Sequence, residues 1–279
     1  ATKDTAKQEQ AVSELTAYAG DFGAFINSVL PDLTKEAVAD LVKQHITTLK
    51  AVIDAQSGDD PVKAYTELRG AAGHMGLIAE ALSTAMAAKF PDKIAGNPAG
   101  AGATLATTLN MGFREHVFLA SGATGAALGG RAEEFMAAAS ALKSNSNSLT
   151  EAISNIYGPD AGKAFGPLWE RHIGFVVEYT TGLAARDKAK QDKAVNDLVQ
   201  YSADFGAFLS TASPALTKET LTELVKTHIL TLKDVIDAQS KKDLAGAYTK
   251  LRTAAEHMKA LANPLAVALV QQFPDKFKV

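Results

Sequence analysis

Apolar residues recur along this chain at intervals of three and four, the spacing that gathers side chains on one face of an α-helix. Residues 5 to 29 predict a helix with Ala11, Leu15, Tyr18, Phe22 and Phe25 on its apolar face, ending before Pro31. A second helix starts behind Leu33-Thr34-Lys35-Glu36, where Thr34 holds the N-cap place, and lines up Leu41, His45, Leu49 and Val52. A third follows Ser57-Gly58-Asp59-Asp60-Pro61, carries Tyr65, Leu68, Arg69, Ala72 and His74-Met75, and stops at Phe90-Pro91. Residues 104 to 129 predict a helix with Met111, Phe113 and His116, but Gly122, Gly125 and Gly129-Gly130 predict fraying or a break in its second half. Stretches 133–142 and 149–157 read as helical, separated by Lys143-Ser144-Asn145-Ser146-Asn147-Ser148, a polar run that predicts a bend or interruption. Residues 168 to 183 predict a helix whose stripe is Leu168, His172, Phe175 and Tyr179, with the single tryptophan, Trp169, beside it. No segment alternates with period two, so the fold class is all-α, built from antiparallel helical hairpins.

The remaining helices are predicted by repetition. Displacing the chain by 183 positions aligns residues 1 to 96 with 184 to 279 without a gap, and about half the positions are identical. Asp21-Phe22-Gly23-Ala24-Phe25 returns as Asp204-Phe205-Gly206-Ala207-Phe208, and Phe90-Pro91-Asp92-Lys93 as Phe273-Pro274-Asp275-Lys276. The helix from 188 to 211, the cap at Leu216-Thr217-Lys218-Glu219 and the stripe Leu224, His228, Leu232 and Val235 follow from this. A fainter step of 56 residues separates His116, His172 and His228, each on a helix followed by a second helical segment. The expected organisation is a tandem repeat of period 183 forming two bundles: a half-unit over 1–96, a Gly/Pro/Ala linker over 97–103, and a complete unit of about three hairpins over 104–279.

Composition removes several function classes. The formal charge of -3, from 28 basic and 31 acidic residues, leaves no basic footprint for nucleic acid. No apolar run approaches the roughly 20 residues that span a bilayer. With no cysteine, disulfides, thiolate metal sites, iron–sulfur clusters and covalently attached haem are excluded. No Glu-x-x-His di-iron motif, phosphate loop or nucleophile elbow occurs. The start Ala1-Thr2-Lys3-Asp4, without methionine, gives the expectation of a mature exported protein of the periplasm, cell envelope or cell surface.

Chemistry concentrates in the histidines. All six fall at repeat-related positions, with His45 matching His228 and His74 matching His257. Within the complete unit His116, His172, His228 and His257 stand on four helices that a bundle can bring together, a nitrogen-only set suited to copper, zinc or a haem iron. His45 and His74 form a second, weaker pair without counterparts of His116 and His172. The alternative is that each ring packs in the core against a backbone carbonyl, although burying several titratable rings without a ligand is costly. Met258, which follows His257, fits the core spacing of Leu251, Ala254, Leu261 and Leu265.

Leu168-Trp169-Glu170-Arg171-His172-Ile173, Glu115-His116, the serine-asparagine run before Leu149-Thr150-Glu151-Ala152-Ile153, and the closing Phe273-Pro274-Asp275-Lys276-Phe277 together resemble a family of exported bacterial helical proteins often labelled copper amine oxidase-like. The chain also resembles an S-layer-associated envelope protein proposed to be a copper-only superoxide dismutase. These resemblances imply copper on His116, His172, His228 and His257, export, a cell-envelope or S-layer protein partner, and superoxide as substrate. Amine oxidation is not implied, because the chain has no Asn-Tyr pair from which the cofactor of genuine copper amine oxidases arises. Two other functions fit the residues: a haem-binding bundle with iron between facing histidines, and a structural or partner-binding envelope protein whose histidines pack the hairpins.

Overall fold

A computed structural model describes residues 4–277, and the start Ala1-Thr2-Lys3 on which the export expectation rests lies outside them. Among the described residues there are nine α-helices and no strand. They divide into two compact units, 4–104 and 105–277, and each is described by itself. No helix of the described residues is long and apolar enough to cross a membrane.

The first unit holds α1 (Thr5–Val29), α2 (Lys35–Ser57) and α3 (Pro61–Lys89). Helix starts are set where the sequence places short oxygen-bearing side chains. Asp4, Thr34 and Asp60 accept from the backbone N–H three residues on, and Pro61 opens α3 where its missing N–H costs nothing. Helix α2 packs on both neighbours, with Ile26, Leu30, Val38 and Ala85 in the core and Phe22, Leu33, Val42 and Leu82 against it. Gly23 lets α1 close on α2, since a Cβ there would sit 2.4 Å from the Lys35 carbonyl oxygen.

The second unit holds α4 (Ala101–Leu128, from its second turn), α5 (Ala132–Tyr157), α6 (Pro159–Ala185), α7 (Lys188–Ala212), α8 (Lys218–Ser240) and α9 (Leu244–Gln272), closed by a 3-10 turn at Pro274–Lys276. Helix α4 thus begins inside the expected linker 97–103. Asp187, Thr217 and Asp243 cap α7, α8 and α9.

Three local expectations are corrected. Helix α4 does not break at its glycines, because tertiary contacts hold its second half. Gln239 of α8 donates from Nε2 to the Ser121 carbonyl at 2.9 Å and accepts from Thr124 at 2.8 Å, and Gly125 admits that side chain. The helix ends only at Gly129-Gly130, with Gly130 at φ 70°. Helix α5 runs straight through the serine-asparagine segment, whose Asn145 and Ser146 are buried and hydrogen-bonded inside the unit. Helix α6 starts nine residues before position 168 and carries Pro167 within it. Burial of Phe165 and the contact of Gly162 with Ser154 hold that first portion against α5.

The apolar stripe of α1 is also corrected. Ala19, Gly23 and Ile26 are buried, whereas Leu15, Tyr18 and Phe25 are exposed. Their repeat partners Leu198 and Tyr201 on α7 are 3% and 2% exposed, because α6 packs on α7. Leu15→Ala should therefore change stability by less than about 0.5 kcal/mol, while Leu198→Ala should cost about 2–5 kcal/mol. Urea unfolding of the two variants checks this, and equal costs would overturn it.

Candidate metal centre

His116 projects from α4, His172 from α6 and His228 from α8, and all three are buried. One ring nitrogen from each lies within 4.8 Å of the others, the only such group of three or more His, Asp or Glu among the described residues. His116 Nε2 and His172 Nε2 are 3.3 Å apart. A first-row ion held by imidazoles at about 2.0–2.1 Å separates their nitrogens by about 3.3–3.6 Å. The two rings are hydrogen-bonded to each other at a separation that also matches that of bound ligands.

The surroundings fix these rings without consuming their nitrogens. Trp169 sets its ring edge-on to both His116 and His172 at 4.8 Å, and Tyr201 stacks on His172 at 5.0 Å. Trp169 in turn donates from Nε1 to the Ser146 hydroxyl at 3.3 Å. Asn145 donates to the Gly112 carbonyl at 3.0 Å and to Glu115 at 2.6 Å, tying α5 to the turn of α4 that carries His116. The buried Nδ1 atoms of His116, His172 and His228 have no well-formed hydrogen bond.

Electrostatics keep the rings neutral. Burial, followed by the nearby charges of His172 and His228, holds His116 well below the ordinary imidazole value. Burial takes His172 down to about 4, with the backbone of Trp169 opposing it. Burial, then His172 and His257, takes His228 down to about 3. At neutral pH the centre therefore offers lone pairs rather than charge.

The fourth expected ligand lies apart. His257 on α9 directs Nε2 at the Leu224 carbonyl, 2.9 Å away, and is not a member of the group. His74 does the same with the Leu41 carbonyl at 2.8 Å. A carbonyl only accepts, so Nε2 carries the proton in both, and each ring pins one helix to its neighbour. His45 stacks with His74 at 6.4 Å, its buried Nδ1 without a partner, and no third group joins them. Met258 is buried and lines the core beside His172 and His228, in agreement with its core spacing.

Asn145, Ser146 and Tyr201 surround the centre without a signal in spacing or motif that marks them. The serine-asparagine run looked like a breaker, and only its burial reveals polar groups aimed inward. At the far end of α6, Tyr179 donates to Asp237 at 2.5 Å and Lys233 donates to the same carboxylate at 2.7 Å. Burial and that carboxylate push the Tyr179 phenol up to about 12. Comparison with protein-family models, curated proteins and solved structures finds no match to this chain.

Proposed function

We propose that this protein binds one copper ion, in its cuprous form, at His116, His172 and His228. The observation that carries this reading is three buried, neutral imidazoles from three helices with ligand atoms within 4.8 Å. No carboxylate joins the group. Because the cost of burying an ion rises with the square of its charge, a singly charged ion is favoured over a doubly charged one. Imidazole ligands suit copper among the first-row metals, and the Met258 thioether, which lines the same space as His172 and His228, is the soft donor type that favours Cu(I).

Haem is the poorer fit. The spaces against the triad are about 30 and 70 Å³, whereas pockets for ligands of that size run to roughly 300 Å³ or more. Superoxide dismutation is the activity that the resemblance would give a copper ion here, together with an envelope location and an envelope or S-layer protein partner. The duplicated, two-bundle organisation belongs to the same proposal. It is supported by the equal lengths of α1 and α7 at 25 residues, α2 and α8 at 23, and α3 and α9 at 29.

Dialysis against buffered Cu(I), with metal analysis, should leave one copper per chain, and a parallel haem titration should give no Soret band. No copper at equilibrium would overturn the proposal in favour of packed structural histidines.

A further inference from the structure

Two cavities touch the triad from different sides. One, of about 30 Å³, is lined by His172, His228, Trp169, Tyr201, Val225 and Met258 among others. The other, of about 70 Å³, is bounded by His116, His172, Ala120, Ala123 and Leu232 among others. No lysine, arginine, aspartate or glutamate lines either one. Spaces of this size hold one or two small molecules, and cavities walled by hydrocarbon stay dry.

We propose that the smaller cavity receives a small uncharged diatomic molecule as a further ligand of the copper ion, with the Tyr201 hydroxyl as its hydrogen-bond donor. This rests on the copper reading above. Size sets the first limit, since the cavity excludes anything much larger than two heavy atoms. Charge sets the second. An anion entering it would lose its hydration with no cationic side chain on the wall to replace it. Cuprous ions bind neutral π-accepting diatomics, so the ligand chemistry of the metal and the polarity of the space agree. Superoxide, an anion, fits this space less well than dioxygen, nitric oxide or carbon monoxide.

Tyr201 supplies the polar end. Its hydroxyl is buried and has no partner, and its ring stacks on His172 and lines the cavity. A phenol carries its proton at neutral pH, so this hydroxyl can donate. An orphaned buried hydroxyl costs stability unless something accepts from it, and a diatomic end-on to the metal would offer that acceptor.

The test uses the full chain loaded with one Cu(I), with carbon monoxide as the probe and the C–O stretch read by infrared spectroscopy. Copper is counted in every sample first. The wild type should show a single band at one carbon monoxide per copper. Val225→Leu adds one methylene to the cavity wall and should weaken carbon monoxide binding at least about tenfold. Tyr201→Phe removes only the hydroxyl and should shift the band. Copper-loaded protein that takes no carbon monoxide would overturn this inference alone, as would an affinity and band unchanged in both variants. Protein that takes no copper would instead overturn the metal assignment, and this inference with it.

Discussion

His228→Gln will weaken Cu(I) binding by more than about a hundredfold, while His257→Gln will leave it within a fewfold of the wild type. The estimate is conservative, because loss of a partner one shell further out already costs about 10–100-fold in metal affinity. Glutamine is close to histidine in volume, so neither substitution opens a large cavity. At position 257 it can still donate to the Leu224 carbonyl, the one hydrogen bond seen for that ring. Competition with a chromophoric Cu(I) chelator measures both constants. Equal losses at 228 and 257 would mean that α9 swings its histidine into the centre, and the three-ligand geometry would be wrong.

Acid will destabilise the metal-free protein steeply. The folded values of His172 and His228, about 4 and about 3, and that of His116, well below normal, all lie beneath the roughly 6.5 of an unfolded imidazole. A depressed folded value means that the unfolded chain binds the proton more tightly. The stability these rings confer is therefore complete above about pH 6.5 and is lost as pH falls towards the folded values. Three such rings give a slope of about 4 kcal/mol per pH unit in that window, large beside a total of about 5–15 kcal/mol. Urea midpoints followed by circular dichroism between pH 7 and 4.5 will show the decline. His228→Gln should reduce the slope by about one proton, or 1.4 kcal/mol per unit. A flat profile from pH 7 to 5 would mean that the folded rings titrate normally, hence that they are not buried as described.

The two expectations share one cause. Rings held neutral in a dry interior do not compete for protons, and so remain available to a metal across the range in which the fold survives. Asn145, Trp169 and Tyr201 complete this arrangement by fixing ring positions through contacts that leave the ring nitrogens open. The price of the arrangement is that the buried Nδ1 atoms of His116 and His228 have no hydrogen-bond partner.

Much of the architecture is legible along the chain. The three- and four-residue spacing located the helices, and Thr34 and Thr217 marked starts that the cap hydrogen bonds reproduce at 3.2 Å each. The 56-residue step placed His116, His172 and His228 at one register, and these three are the residues that meet. His257 belonged to the same expected set, yet its hydrogen bond to α8 depends on the relative rotation of two neighbouring helices, which spacing does not encode. The glycines of α4 and the serine-asparagine run of α5 were read by intrinsic propensity, which Gln239, Gly112 and Glu115 override from other helices.

Sequence by itself determined the helical class, the capped helix starts at Thr34 and Thr217 and the short list of histidines, because periodicity, capping and proline positions act within a few residues. Tertiary structure alone decided which stripes are covered, as Leu15 and Leu198 show, and which histidines converge. Those outcomes depend on which helix packs against which, and at what rotation, and so on contacts between residues on different helices, such as His172 with Tyr201 and His257 with Leu224.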